Sequence, residues 1–469
     1  MAYPDTCRDS LFYVGEASVL TSSGEFAPSF LHGNTNGNIS PMPHSGNLSL
    51  GIVKPATRPS RWFDYDFGVV LTGRVQAGQQ TSFDAPQPTA TGYFRQLYAH
   101  VRLYVIDITA GIKPEVYGSQ DPQYSSGGML FSGNSQPVPR ITIGVDEYTP
   151  VPGLFGYVEF KGGLTHGWFV DYDSHVVSGE RLSKEMEKPL TTRPTTNALL
   201  HHLHASLRVG GKLPVNLSYA FHHAAQWGGN SPIYGQFSTD IKTWWNILKA
   251  GAGGNSLNDQ LNAEGNHIGF QEWALWFKYG GWEARAYWQT IFEDKSAKFI
   301  GFGNIEDGLW GLHVKQHNWP FINAFTYEFL NTTAQDGPYH DKDGLIYGGR
   351  DNYYDNTAYR QGWTHFGQII GSPLLAVTNN RVRNHFLALG GDIYGYRYRV
   401  MANITHNWGT YAAPLESNNT ALMLEVKKQF EKAWGLEFTL ALGADFGTQY
   451  GSSFGAIFTI AKRGLIIDY

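Results

Sequence analysis

Segments of about ten residues, in which apolar and polar side chains strictly alternate, run the length of this 469-residue chain and constrain its fold more than any other feature. In residues 97–105, Leu97, Ala99, Val101, Leu103 and Val105 share one face, while Tyr98, His100, Arg102 and Tyr104 share the other. That is the period of two of an extended strand. The pattern recurs in 65–76 (Tyr65, Phe67, Val69 and Leu71 against Asp66, Gly68, Thr72 and Arg74) and in 203–209 (Leu203, Ala205, Leu207 and Val209 against His204, Ser206 and Arg208). In 393–404 it sets Tyr394, Tyr396, Tyr398, Val400, Ala402 and Ile404 against Arg397, Arg399 and Asn403, and in 436–446 Leu436, Phe438, Leu440, Leu442 and Phe446 against Glu437, Thr439 and Asp445. Soluble sandwiches alternate too, but their strands are usually only ~5 to 6 residues long. Here many segments begin or end in aromatics, among them Trp273, Trp276, Trp282, Trp288, Trp310, Trp408 and Trp434, as the interface girdles of a membrane barrel require. Charged residues make up 16% of the chain, too few to dress a soluble surface of this size. The expected fold class is all-β, a transmembrane antiparallel β-barrel. Its polar faces then line the lumen, where Arg102, Arg208, Arg285, Arg397 and Arg399 would form a basic ladder.

Long polar or Gly- and Pro-rich stretches separate the strands, at 21–49, 119–139, 177–197, 226–265, 334–358 and 411–419. Loops of that length are commonly functional, and in bacterial barrels the long ones face outwards. One holds a short helix, residues 239–250, with capping residues at its start, Ile241, Trp244, Trp245 and Leu248 at i, i+3, i+4 and i+7, and Gly251 as its stop. Nothing divides the chain, so residues 1–469 are expected to form a single domain, with 1–60 an N-terminal segment plus first strands and 226–265 a long loop with the helix.

A net charge of −5 and the lack of a basic run argue against nucleic acid as a partner. No stretch approaches the ~18 apolar residues of a transmembrane helix. Cys7 is the only cysteine, so neither an intramolecular disulfide nor a Cys-based zinc site is expected. The residues before it contain no basic or apolar signal-peptide region, which is expected of a mature or recombinant form whose signal peptide has been removed.

The His pairs His201-His202 with His204, and His222-His223, are weak metal candidates. In a strand His202 and His204 share a face while His201 points away, and no carboxylate completes a set. Asp341-Lys342-Asp343-Gly344 resembles the opening of a calcium loop, but Asn352 stands where the closing Glu belongs. Gly451-Ser452-Ser453-Phe454-Gly455 has nucleophile-elbow spacing but opens a period-two strand instead of a helix. No catalytic residue, metal or cofactor is therefore expected, and the chain is read as not an enzyme.

Residues 351–365 are dense in aromatic and amide side chains. Tyr353, Tyr354, Asn356, Tyr359, Arg360, Trp363 and His365 are the kind of set that holds sugars, rings packing on pyranose faces while amides and Arg bond the hydroxyls. Trp244 and Trp245 on the loop helix are added as candidates. The alternative is that such rings form the interface girdle or seal the barrel mouth.

The stretch Asn352-Tyr353-Tyr354-Asp355-Asn356, followed by Tyr359-Arg360-Gln361-Gly362-Trp363-Thr364-His365-Phe366-Gly367-Gln368-Ile369-Ile370-Gly371-Ser372-Pro373-Leu374, resembles the Wzi family of outer-membrane capsule assembly proteins. Supporting stretches follow the family's order: Pro28-Ser29-Phe30-Leu31 with Asn36-Gly37-Asn38-Ile39, residues 126–139, Gly163-Leu164-Thr165-His166-Gly167, and Gly265-Asn266-His267-Ile268-Gly269. The resemblance covers the chain from about Pro28 to the end. It implies an outer-membrane barrel of about 18 strands, obstructed by its own loops, acting as a lectin that attaches exported capsular polysaccharide to the surface of a Gram-negative cell. Outer-membrane lipid and capsule export machinery would be its other partners. Two departures stand out: Asn356 replaces a common His, and the N-terminus lacks the amphipathic helical bundle of enterobacterial members. A channel for anionic sugars or oligosaccharides, using the Arg ladder, is the alternative.

Overall fold

A computed structural model describes residues 10–57, 62–77, 90–170, 195–251, 264–293, 305–337, 341–342, 345–346 and 350–468. Cys7 and the middle of the calcium-like segment, Asp343 and Gly344, lie outside them. Eighteen antiparallel strands form one sheet. They are β1 (Ser10–Ser22), β2 (His44–Lys54), β3 (Phe63–Ala77), β4 (Ala90–Leu103), β5 (Ile106–Ile112), β6 (Arg140–Pro150), β7 (Val158–Trp168), β8 (Leu199–Val209) and β9 (Val215–Trp227), then β10 (Asn266–Tyr279), β11 (Trp282–Phe292), β12 (Gly308–Gln316), β13 (Ala324–Asn331), β14 (Val382–Ile393), β15 (Tyr396–Gly409), β16 (Pro414–Phe430), β17 (Leu436–Gly447) and β18 (Ser453–Asp468). The first strand pairs with the last, from Ser10↔Asp468 to Ser22↔Gly455, so the sheet closes and has no free edge.

Alternation decides which face each side chain takes. On β2, Ser45, Asn47 and Ser49 are buried towards the lumen, while Leu48, Leu50 and Ile52 are exposed on the outside. This is inverted relative to a soluble protein and matches a barrel whose outer solvent is hydrocarbon. Connections alternate as well. One end has short turns, including 104–105, 280–281 and 394–395, while the other carries the long connections 23–43, 113–139, 228–265 and 332–381. Exposed Trp62, Tyr104, Phe155, Tyr394 and Trp434 gather at the short-turn end as half of an aromatic girdle. Trp276 is a correction to that girdle. It points inward, donating its indole N–H to Ser218 Oγ at 2.8 Å.

The alternating segment through Tyr104 and Val105 is also corrected, because β4 and β5 are a hairpin turning at those two residues. Tyr104 takes φ 55°, a left-handed turn position that glycine usually fills. Two α-helices occur among the described residues, one more than expected. α1 (Ser29–His32) is a single turn inside the 23–43 connection. α2 (Ile241–Lys249) is the expected helix, capped by Asp240, whose Oδ1 accepts from Thr243 N at 2.8 Å. Its left-handed stop is Ala250 (φ 48°) rather than Gly251.

Candidate functional site

Three of the long connections fold into the lumen instead of standing above it. Residues 23–43, 113–139 and 350–381 interlock there with each other and with the wall. Their apolar centre joins Met129, Leu130, Phe131 and Val138 to Tyr353, Tyr354, Tyr359, Trp363, Ile369 and Ile370.

Polar wall residues anchor this plug. Glu328 on β13 accepts from Ser125 Oγ at 2.6 Å, Ser126 N at 2.7 Å, Ser126 Oγ at 2.5 Å and the Tyr287 hydroxyl. Glu272 on β10 holds Ser119 through its N–H (2.8 Å) and hydroxyl (2.5 Å) and accepts from Gln289 at 2.8 Å. Asp445 on β17 takes Ser29 N at 2.9 Å and Ser29 Oγ at 3.1 Å, tying down α1. Buried carboxylates paired with several donors are well compensated, and each of these ties a loop to a strand over one hundred residues away in sequence.

The residues singled out as sugar ligands belong to this plug, which corrects their role. Tyr353, Tyr354, Tyr359, Trp363 and His365 are wholly buried, and Arg360 nearly so. The Tyr353 hydroxyl donates to Asp307 Oδ2 at 2.9 Å, that of Tyr354 to the Met129 carbonyl, and that of Tyr359 to the Gly228 carbonyl at 3.1 Å. Trp363 Nε1 donates to the Leu130 carbonyl at 2.9 Å, and His365 Nδ1 lies 2.8 Å from the Gln136 carbonyl. Burial pushes the Tyr354 hydroxyl well above its ordinary pKa, so it stays a donor. Asn356 caps the turn that follows, accepting from Ala358 N (2.8 Å) and Tyr359 N (3.2 Å). With no ring face open, these side chains cannot stack on a pyranose in this conformation; they pack the plug. Trp244 and Trp245 lie elsewhere, on α2, where Trp244 packs on the outside of the wall and Trp245 is exposed.

The five arginines are corrected too. All lie in the short-turn half of the lumen, as a paired ring rather than a ladder along the axis. Arg102 binds Asp107 at 2.7 Å, Arg208 Glu159 at 2.6 Å, Arg285 Asp121 at 3.5 Å, Arg397 Glu437 at 2.6 Å and Arg399 Glu425 at 3.2 Å. A guanidinium matched by a carboxylate offers an anion little net attraction. Nearby, His100, Asp107 and Asp146 bring possible ligand atoms within 4.8 Å of one another. Both His100 ring nitrogens are engaged, by Asp66 and by Asp107, so a metal there would have to displace one of these contacts. His202, His204 and His222 stack in the lumen beside Tyr117, with His202 Nε2 3.2 Å from His222 Nδ1.

What sequence reasoning missed is a cavity of about 860 Å³ between the plug and the wall of β1–β4 and β15–β18. At the long-loop end it is lined by Asn379, Asn407, Asn419, Gln449 and Tyr450, midway by Asn403 and Thr405, and at the other end by Arg399, Lys427 and Glu437. Along β16 alone, Asn419 to Lys427 spans about 26 Å at ~3.3 Å per residue. Among the described residues, Asn34 Oδ1, Asn407 Nδ2, Asn419 Oδ1 and Arg399 Nε belong to side chains of this lining and are buried without a hydrogen-bond partner. The amides and hydroxyls of the lining offer donors and acceptors around one space, as a polyhydroxylated ligand or ordered water requires. The spacing signal was present, since Asn403, Thr405 and Asn407 fall on one face of β15, but nothing local shows that the plug leaves this wall uncovered.

The closed sheet, inverted polarity and alternating loop lengths agree with the solved structures this chain is similar to. Wzi of Escherichia coli, described as an outer-membrane protein involved in group 1 capsule assembly and a carbohydrate-binding β-barrel, matches with a TM-score of 0.59 and 14% identity over 98% of this chain and 85% of that chain. OccAB2 of Acinetobacter baumannii matches with a TM-score of 0.50 and 8% identity over 99% of this chain and all (100%) of that chain. The chain is an outer-membrane-type β-barrel. In sequence, no family profile and no curated protein matches it. At these identities the likeness establishes the fold.

Proposed function

We propose that this barrel is a carbohydrate-binding protein of the Gram-negative outer membrane that holds an exported surface polysaccharide, in the manner of a capsule lectin, and carries out no turnover. The observation that carries this reading is the cavity beside the plug, with its amide- and hydroxyl-rich lining of Asn379, Asn403, Thr405, Asn407 and Asn419. Its volume lies within the ~300–1,000 Å³ of small-ligand sites, enough for a few sugar residues of a longer chain. A plug fixed to the wall by Glu272, Glu328 and Asp445 suits retention better than free passage. The structural likeness to a carbohydrate-binding capsule barrel supports the same reading. Delivery of the polymer by an export machinery belongs to the proposal as well.

The test is deletion of the gene in its host, followed by measuring how surface polysaccharide divides between cells and medium. Loss into the medium with total polymer unchanged, reversed by the wild-type gene, is the expected result. An unchanged division would overturn it.

One observation favours a second reading, a channel for oligosaccharides: the cavity reaches Arg399, Lys427 and Glu437 at the short-turn end. Steady conductance of the wild-type barrel in planar bilayers, blocked by sugar, would support it.

A further inference from the structure

On the outward face of the wall, near the long-loop end, stands a row of histidines where hydrocarbon-facing residues are expected. The register sets His166 beside His201, His201 beside Ala225 and Ala225 beside His267, with His223 on the same face two residues before Ala225. Imidazoles facing acyl chains would be costly. His201, His223 and His267 are nevertheless buried. The row is partly paired within itself, His223 Nε2 lying 2.8 Å from His267 Nδ1 and His267 Nε2 2.8 Å from the Glu264 carbonyl.

α2 packs on the wall at Ala225, in the midst of this row. Ile247 and Trp244 pack on Leu199, Ala225 and Trp227, all outward-facing residues of β8 and β9. The helix therefore lies outside the barrel, against its rim. Its other face carries Ile241, Trp245 and Lys249 at i, i+4 and i+8, with Lys242 beside them. Ile241 is 69% exposed and Trp245 48%, and both lysines are exposed. Lys249 Nζ sits 5.8 Å from the Trp245 ring centre. Further from the rim, the same outer wall becomes the apolar belt of Leu207, Leu217, Leu275 and Phe277.

We propose that α2 lies flat in the outer-leaflet interface and binds an anionic lipid surface. Ile241 and Trp245 enter the upper acyl region, while Lys242 and Lys249 meet lipid phosphates. Three features favour lipid as the occupant. The helix packs on the same outer wall that carries the hydrocarbon-facing belt, its free face joins an interfacial Trp to an aliphatic side chain, and two cations flank that pair. Asp240, the nearest acid in sequence, is engaged in capping the helix. α2 would then act as a wedge that keeps lipid off the histidine row.

The test uses the full chain with Cys7→Ser, spin-labelled at Trp245→Cys or, separately, Ile241→Cys. It is reconstituted in phosphatidylcholine vesicles with and without phosphatidylglycerol, and heat-modifiable migration verifies folding. Leu275→Cys reports the belt and Gly235→Cys an exposed loop position. The labels at 245 and 241 are expected to show an oxygen-to-nickel accessibility ratio close to that at 275 and several-fold above that at 235. Phosphatidylglycerol should raise the ratio further, and Lys242→Gln with Lys249→Gln should abolish that increment. Nickel accessibility at both sites equal to that at 235 would overturn the membrane seat; ratios unchanged by phosphatidylglycerol would overturn the anionic specificity.

Discussion

Trp363 donates its indole N–H to the main-chain carbonyl of Leu130 at 2.9 Å, joining two connections separated by more than two hundred residues. The ring is wholly buried against Phe131 and Phe169. Trp363→Ala should therefore weaken the plug by about 3–5 kcal/mol, as large buried truncations do, without unmaking the strand ladder. Heat-modifiable migration is expected to persist while single-channel openings become frequent. Trp363→Phe keeps most of the ring and orphans the Leu130 carbonyl, for about 1–3 kcal/mol and a milder phenotype.

Glu328 organises the other side of the same contact, drawing the Ser125 and Tyr287 hydroxyls and both donors of Ser126 onto two oxygens. In Glu328→Gln an amide NH2 would face those donors, and a charge that shortens the bonds would be gone. A loss of about 2–3 kcal/mol is expected. Faster hydrogen exchange at the Ser126 amide and protease nicking within 113–139 would report it. Unchanged exchange would show that the carboxylate does not anchor the plug.

Gly371 has no side chain because Tyr354 needs the space. A Cβ there would come within 2.5 Å of the Met129 carbonyl oxygen, the acceptor of the Tyr354 hydroxyl. Backbone cannot yield cheaply, so Gly371→Ala should destabilise the plug by about 1–3 kcal/mol. Increased bilayer conductance relative to wild type is the readout.

Acid should loosen the plug at Asp121. Burial by itself would raise this carboxyl, but the bond from Lys315 (2.5 Å), with backbone bonding and nearby His313, holds it below the usual carboxylate range. A depressed folded value means the contribution is full above the unfolded carboxylate pKa. It is lost as pH falls through the depressed value. Conductance should stay quiet from neutral pH down through the ordinary carboxylate range and rise only below it, with Lys315→Gln moving the onset upward. Opening near neutrality would contradict this account.

The barrel was legible because alternation is local, each strand carrying its own inside and outside, whereas the number of strands rested on the family resemblance and closure is seen in the pairing of the first strand with the last. Turns were less so, since Tyr104 takes a left-handed position without Gly or Asn to mark it. The aromatic–amide run around Tyr353 and Trp363 reads identically as a sugar site or as a packed plug. What decides between them is contact with Met129 and Leu130, remote in sequence. Likewise, charge pairing of the Arg residues depends on neighbours across the strand, such as Asp107 opposite Arg102. Alternation sets His201 opposite His202 and His204, but the helix that packs on that outer wall is a tertiary event.

The most direct test is binding of the host's surface polysaccharide, or oligosaccharides from it, to purified wild-type barrel and to Asn407→Leu/Asn419→Leu. These changes keep the branched heavy-atom outline of the side chain but remove its hydrogen-bonding groups. If the cavity holds the glycan, the variant should lose at least tenfold in affinity, ~1.4 kcal/mol or more, while folding and closure are retained. Equal binding by a folded variant would contradict the site, and no binding by the wild type would contradict the function.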